Sequence, residues 1–307
     1  MKIVSIVIPV FWNEQSLPHL FEELSKVEQQ LEQKGYGLEL IFVDDGSGDR
    51  SLSELLKIKK QRAATKIVKL TRNFGGVHAA KAGFQFVTGD CFMILAADLQ
   101  DPPELILEMT DRWEKGCKFV LCTRIARQDP LLSRFFAGVY YWLLRFFVVD
   151  EYPRRGFDLA LMDKALLPYI QQSGKNINPP LFAYWLGFTP EIINYERRRR
   201  QYGKSRWSFS KKLKLFLDSL LGFSIVPIRF ISLIGLIISI LSFGYGSMIL
   251  INTLRGHADV RGFATIVTLI SFLFGAVIIM LGIIGEYLWR IFDETNKRPE
   301  SVIDEIF

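Results

Sequence analysis

The chain has 307 residues, 50% of them hydrophobic and 23% charged, with a formal net charge of +6. That composition excludes intrinsic disorder, a collagen-like repeat and a disulfide scaffold. The basic balance points to an anionic membrane surface or a phosphorylated substrate, and not to nucleic acid.

Residues 1–14, MKIVSIVIPVFWNE, carry too short an apolar run for a signal peptide, and they read as a first strand over 3–10. The soluble part is therefore expected in the cytoplasm. Residues 17–33 have helical spacing, and 38–43 (LELIFV) form a second buried strand that leaves through DDGSGD. A helix over 51–62, a third strand over 66–70 and a small-residue helix over 78–86 follow. A fourth strand over 91–96 (CFMILA) runs into ADLQDPP, then come a helix over 103–115 and a fifth strand over 119–122. Strands alternating with helices predict an α/β domain with a mostly parallel sheet covered on both faces. Such sheets bind ligands beyond the carboxyl ends of their strands, and WNE, DDGSGD and DLQD all lie there. Cys91, Cys117 and Cys122 lack metal-ligand spacing and read as reduced thiols in the core.

Residues 131–149 are apolar but carry Arg134 and Arg145 on one helical face, which predicts a core or interfacial helix and not a span. Residues 209–222 are amphipathic. Phe209, Leu213, Phe216, Leu217 and Leu220 form one stripe, with Lys211, Lys212 and Lys214 outside it, a pattern suited to the headgroup layer. Two runs without charge, 230–254 and 263–285, each exceed the roughly 20 residues that cross a bilayer. Residues 197–217 hold nine basic residues and no acidic one, whereas the loop between the runs has only Arg255 and Arg261. The positive-inside rule then puts the large domain, both chain ends and the tail on the cytoplasmic side. The expected organisation is a soluble domain over 1–208, an amphipathic helix over 209–227, a two-span region over 228–290 and a tail over 291–307. Gly275, Gly282 and Gly285 permit close packing of spans, within one chain or in a homo-oligomer.

Asp44 and Asp45 follow one strand, and Asp98 and Asp101 another. Acids there cap helices, bind a divalent cation or accept hydrogen bonds from a sugar or base. Asp98-Leu99-Gln100 offers two hard oxygen ligands suited to Mg²⁺ or Mn²⁺, with substrate phosphates completing the shell. DDGSGDRS lacks the dinucleotide fingerprint, and Gly203-Lys204-Ser205 is no P-loop because Arg198 stands where a glycine is required. His19, His78 and His257 have no zinc spacing. The basic segment over 197–207 suits either acidic lipid headgroups or a phosphate held by arginines, with Gly203 and Ser205 closing on it.

The succession IPVFWNE, VDDGSGD, RNFG, AADLQDPPE, RRGFD, RRQYGKSRW and GIIGEYLWRIFDETNKRP resembles the membrane-anchored family 2 glycosyltransferases over nearly the whole chain. Within them it resembles the polyprenyl-phosphate glycosyltransferases, the relatives of dolichol-phosphate mannose synthase. The resemblance implies a GT-A, Rossmann-like nucleotide-sugar domain in a multi-pass protein of a bacterial inner membrane. It implies an inverting transfer of a sugar from a nucleotide-sugar donor to polyprenyl phosphate. Pro9, Asn13 and Glu14 would then lie near the nucleoside, and Asp45 with Asp44 would hold base and ribose. Asp98 and Gln100 would bind Mg²⁺ or Mn²⁺ on the diphosphate. Asp158 would be the catalytic residue, its plain structural alternative being an ion pair with Arg154 or Arg155. Arg124, Arg134, Arg200 and Ser205 would grip the lipid phosphate. The family's metal motif usually begins with a further acid, and Ala96 stands in its place, which weakens the expected metal site. Glucose from UDP-glucose is the first expectation, since the resemblance to bactoprenol-phosphate glucosyl transferases is close, with GDP-mannose or another UDP-sugar as alternatives. Two other readings are a processive polysaccharide synthase, which two spans and the lack of Q-x-x-R-W oppose, and a non-catalytic membrane scaffold, which Ala96 favours.

Overall fold

Strand β1 (Lys2–Val10) is buried at Val4, Ile6, Val7, Ile8 and Val10, a continuous apolar run rather than an alternating one. A strand needs such a run when both faces of its sheet are covered. In the computed structural model β1 is central, pairing in parallel with β2 (Tyr36–Asp44) and with β4 (Cys91–Ile94). The structure describes residues 1–125, 131–149, 152–154, 156–175, 177–202, 219, 222–224, 226–255 and 262–307. They form two compact units, Met1–Gly222 together with Pro299–Phe307, and Phe223–Arg298.

The first unit is built on an eight-stranded sheet in the order β7-β5-β6-β4-β1-β2-β3-β8. β3 (Lys66–Leu70) extends the parallel set beside β2. β5 (Phe119–Arg124), β6 (Leu159–Asp163) and β7 (Glu191–Tyr195) form the other wing, and β8 (Ile303–Ile306) closes the far edge. The mostly parallel expectation holds, with β6 and β8 as the antiparallel members. Four helices connect the parallel strands: α1 (Leu17–Gln33), α2 (Ser51–Gln61), α3 (Gly76–Phe84) and α4 (Leu105–Glu114). The α1 stripe of Leu17, Leu20, Leu24, Val27 and Leu31 is fully buried, each side chain contributing roughly 1.5–3 kcal/mol by leaving water. The five expected strands and these helices lie within a few residues of their expected bounds. β6, β7 and β8 were not expected from the pattern.

Helix α5 (Leu131–Phe147) forms where one was expected, with Leu144 buried and Trp142 and Phe146 exposed. The short helices α6 (Leu167–Gln171) and α7 (Pro179–Trp185) follow β6. The amphipathic segment over 209–222 falls almost wholly outside the described residues. The second unit consists of α8 (Val226–Leu254) and α9 (Phe263–Thr295), two helices long and apolar enough to cross a membrane. Their large apolar side chains, such as Phe243 and Phe274, are exposed and uncovered by protein. The helices approach at Gly235, where a Cβ would come within 3.1 Å of Met280 Sδ. Among the described residues a Cβ at Gly275, Gly282 or Gly285 would meet nothing within 4 Å.

Candidate active site

The parallel strands end on one edge, and three of the loops leaving it are braced against one another. After β1, the Asn13 Oδ1 accepts from Phe11 N at 2.9 Å, and Asn13 N donates to Ser51 Oγ at 2.8 Å. Glu14 and Asp49 exchange contacts: Arg50 N donates to Glu14 Oε2 at 3.0 Å, and Glu14 N donates to Asp49 Oδ2 at 3.3 Å. After β2, Asp44 turns its carboxylate back onto Ser47 N at 3.1 Å. The Asp45 carboxylate accepts three hydrogen bonds, from Asn73 Nδ2 at 2.9 Å, Phe74 N at 2.7 Å and Gly75 N at 2.9 Å. Both acids are buried, and burial pushes both carboxyl groups above the usual range despite these bonds. Gly46, just after them, sits at φ 67°, and a Cβ there would fall 2.6 Å from the Arg72 carbonyl carbon, so only glycine fits.

After β4, Asp98 Oδ1 accepts from Gln100 N at 3.1 Å, and its Oδ2 takes the Arg200 guanidinium at 2.5 Å. Gln100 Oε1 lies 3.4 Å from the same guanidinium nitrogen. Ser16 Oγ donates to Ala97 O at 2.6 Å, which ties this loop to the start of α1. Trp12 and Leu99 both take φ 59°, a region that bulky side chains avoid. Strain of about 1–3 kcal/mol of this kind gathers where a surrounding structure fixes a site.

The other wing supplies a charged cluster. Register places Cys122 opposite Leu159, so Arg124 at the end of β5 meets Asp158 at the start of β6. Arg124 clamps the Asp158 carboxylate through both Nε and a terminal nitrogen. Tyr195, at the end of β7, donates toward Asp158 Oδ2 at 2.9 Å and Asp101 Oδ1 at 2.5 Å. The hydroxyl has one hydrogen for two carboxylates, so it bridges them. Arg197 completes the set, with Nε 2.9 Å from Asp101 Oδ1 and Nη1 3.9 Å from Asp158 Oδ1. Burial alone would raise the Asp158 carboxyl, but Arg124, Arg197 and Tyr195 outweigh it and hold the group below the usual carboxylate range. Asp101 goes the other way: burial outweighs Arg197 and raises it. Burial, then both carboxylates, push the Tyr195 phenol well up, so it stays a donor.

A cleft of about 900 Å³ lies over this edge, and Pro9, Asn13, Glu14, Asp45, Asp98, Asp158 and Arg200 all line it. The structure thus brings together seven of the expected site residues. Asp44 is buried behind the cleft wall, while Gln100 and Arg124 stand beside lining residues. Arg124 is paired with Asp158. Among the described residues Asp158 pairs with Arg124 and has Arg197 nearby; Arg155, one of the two alternative partners, lies outside the described residues. Ser205 and the Arg134 side chain lie outside the described residues. Tyr195 carried no local signal as a member of the site, and Arg197 stood out only as part of the basic segment over 197–207. Replacing Tyr195 by Phe removes a hydrogen bond to charged groups, and turnover is expected to fall about 10- to 100-fold with the donor KM unchanged. Steady-state kinetics with both substrates varied checks this.

Among the described residues no group of three His, Cys, Asp or Glu side chains could hold a metal ion. Asp98 and Gln100 still form a pair of hard oxygen donors. A magnesium ion commonly uses one or two carboxylates, substrate phosphates and retained waters, so the pair fits a site that the diphosphate completes.

Residues 5–167 match glycosyl transferase family 2. An uncharacterized glycosyltransferase of Synechocystis is 35% identical over 99% of the chain and 95% of its own length. The bactoprenol glucosyl transferase of Shigella phage SfX is 32% identical, with 99% of each chain covered. Among solved structures, glucosyl-3-phosphoglycerate synthase from Mycobacterium tuberculosis is 16% identical over 71% of this chain and 80% of that one, with a TM-score of 0.47.

Proposed function

The chain belongs to glycosyl transferase family 2 and is a glycosyltransferase, and from that premise we propose that it moves one sugar from a nucleotide-sugar to polyprenyl phosphate. The observation that carries the acceptor is the match to a bactoprenol glucosyl transferase across 99% of both chains, two long apolar helices included. The same match supports glucose, from UDP-glucose, as the transferred sugar.

On this reading Pro9, Asn13, Glu14 and Asp45 line the nucleoside end of the cleft, with Asp44 behind them setting the loop. Asp98 and Gln100 hold the Mg²⁺ or Mn²⁺, which when bound neutralises charge on the leaving diphosphate. Arg200, which grips Asp98, is a guanidinium already stationed beside that charge. An oxygen of the lipid phosphate attacks the anomeric carbon, the bond to the nucleoside diphosphate breaks on the opposite face, and the configuration inverts. A phosphate monoester has a second pKa near ~6 and is mostly a dianion at neutral pH. It needs no strong base, and Asp158, ionised and clamped, is a weak one. Asp158 instead orients Arg124 and Arg197 toward the acceptor, which supplies proximity. Arg124, Arg134, Arg200 and Ser205 are assigned to the lipid phosphate.

The two apolar helices hold the enzyme at its lipid, whose tail resists leaving the bilayer by ~0.8 kcal/mol for each buried CH₂. The basic excess before them supports a cytoplasmic catalytic unit and cytoplasmic chain ends. Gly275, Gly282 and Gly285, which meet nothing within 4 Å among the described residues, suit contact between copies. A screen of UDP-glucose, GDP-mannose and other UDP-sugars, with polyprenyl phosphate and Mg²⁺, tests the donor by release of nucleoside diphosphate. Release that needs both UDP-glucose and the lipid is expected. Release with GDP-mannose alone would move the assignment to mannose, and none with any donor would favour a scaffold.

A further inference from the structure

Residues 299–307 follow the second long apolar helix in sequence, yet they belong to the catalytic unit. β8 pairs antiparallel with β3, and Glu300 just before it reaches α3. There Glu300 Oε1 accepts from Lys81 Nζ at 2.8 Å, and Oε2 lies 3.6 Å from His78 Nδ1. The Lys81 ammonium is buried and also donates to the carbonyls of Ser173 at 3.3 Å and Gly174 at 3.0 Å. One ammonium and one carboxylate therefore join α3, the 173–174 turn and the 299–307 segment. The two elements so joined flank the cleft: His78 and Lys175 both line it. The start of α3 also carries Gly75, whose N–H is held by Asp45.

We propose that Glu300 is a positioning residue for the donor wall of the cleft, acting through His78 and Lys81. The proposal rests on the glycosyl-transfer reading for the identity of the donor. The chemistry is that of a carboxylate fixing an imidazole. The buried Nδ1 faces Glu300 Oε2 at 3.6 Å, beyond a direct hydrogen bond, so the carboxylate biases the ring's orientation by charge and packing and leaves its remaining edge to the cleft. Glu300 remains ionised for this task, since burial is outweighed by His78 and Lys81 and its carboxyl lies below the usual range. The sequence offers no hint of the contact, because Glu300 and Lys81 are far apart in the chain and a membrane-helix pair intervenes.

The test is a double-mutant cycle on the full-length protein in lipid nanodiscs, with Glu300→Ala, His78→Ala and the pair. Affinity for UDP-glucose, or for GDP-mannose if wild type binds that instead, is measured by calorimetry, alongside both KM values, kcat and the melting temperature. Each single change is expected to weaken donor binding about tenfold, with kcat and the acceptor KM held within about twofold. The double variant should be no weaker than the worse single one. Glu300→Gln, which keeps an oxygen for Lys81, should lie between wild type and Glu300→Ala, and it carries the test if the alanine variant fails to fold. Unchanged donor affinity with a lowered melting temperature would make the contact merely structural and overturn the proposal, as would additive effects. If wild type binds donor but glycosylates no polyprenyl phosphate, the acceptor reading fails while the affinity ratios still decide the role of Glu300.

Discussion

Asp158→Asn is expected to cut turnover by at least about a hundredfold while nucleotide binding stays within about twofold of wild type. The carboxylate is buried and receives both Arg124 nitrogens, the Tyr195 hydroxyl and the nearby Arg197. Asparagine keeps the shape but removes the charge that holds two guanidinium groups in place. A broken buried pair of this kind costs up to about 3–5 kcal/mol, so the melting temperature should fall as well. In the proposed assignment nucleotide binding rests on the β1 and β2 loops, which make none of these contacts. The pH dependence separates positioning from base catalysis. Asp158 is already ionised well below neutrality, so an acid limb near pH ~6 belongs to the acceptor phosphate. That limb should persist in a variant with residual activity. Near-normal turnover in Asp158→Asn would remove the residue from the mechanism, and a limb that moves with the substitution would make Asp158 the titrating base.

Asp45→Ala is expected to abolish measurable donor binding and to lower stability more than Asp44→Ala does. The Asp45 carboxylate is the shared acceptor for Asn73, Phe74 and Gly75, so its loss strands two half-buried backbone N–H groups and releases the exposed Asn73 amide. Each of the two backbone groups left without a partner costs at most about 1–3 kcal/mol, a sizeable share of the 5–15 kcal/mol margin of a typical domain. Asp44 accepts a backbone bond from Ser47, and its loss loosens one turn. Calorimetric titration with UDP and thermal unfolding of both variants measure the contrast. Equal effects of the two substitutions would mean that the RNFG loop is not what Asp45 secures.

The central strands were legible because a sheet covered on both faces demands unbroken apolar runs, and IVSIVIPV and LELIFV announce themselves. β6 was missed because LALMD lacks β-branched residues, and β7 because it lies at an edge with Glu191 and Ile192 exposed. β8 follows a membrane-like helix, where local pattern says nothing of a return to the sheet. Asp45 and Asp98 stood out as carboxylates after strands, whereas Asp158 came only with the resemblance carried by RRGFD. Tyr195 did not stand out, and Arg124 and the 197–207 arginines did so only as candidate phosphate contacts, because their reach to Asp158 depends on the pairing of β5 with β6 and β7, a long-range property. The same limit hid the link of Glu300 to α3.

The central claim is transfer of one sugar to the phosphate of a polyprenyl lipid, and product analysis tests it most directly. Purified full-length protein would be incubated with radiolabelled UDP-glucose, polyprenyl phosphate and Mg²⁺, then extracted with organic solvent and the lipid weighed by mass spectrometry. The label should enter the organic phase only when lipid phosphate is present, on a species heavier by one hexose with a single phosphate, and UDP should be released in equal amount. Label retained in water as free glucose, or a lipid carrying a diphosphate-linked sugar, would contradict it.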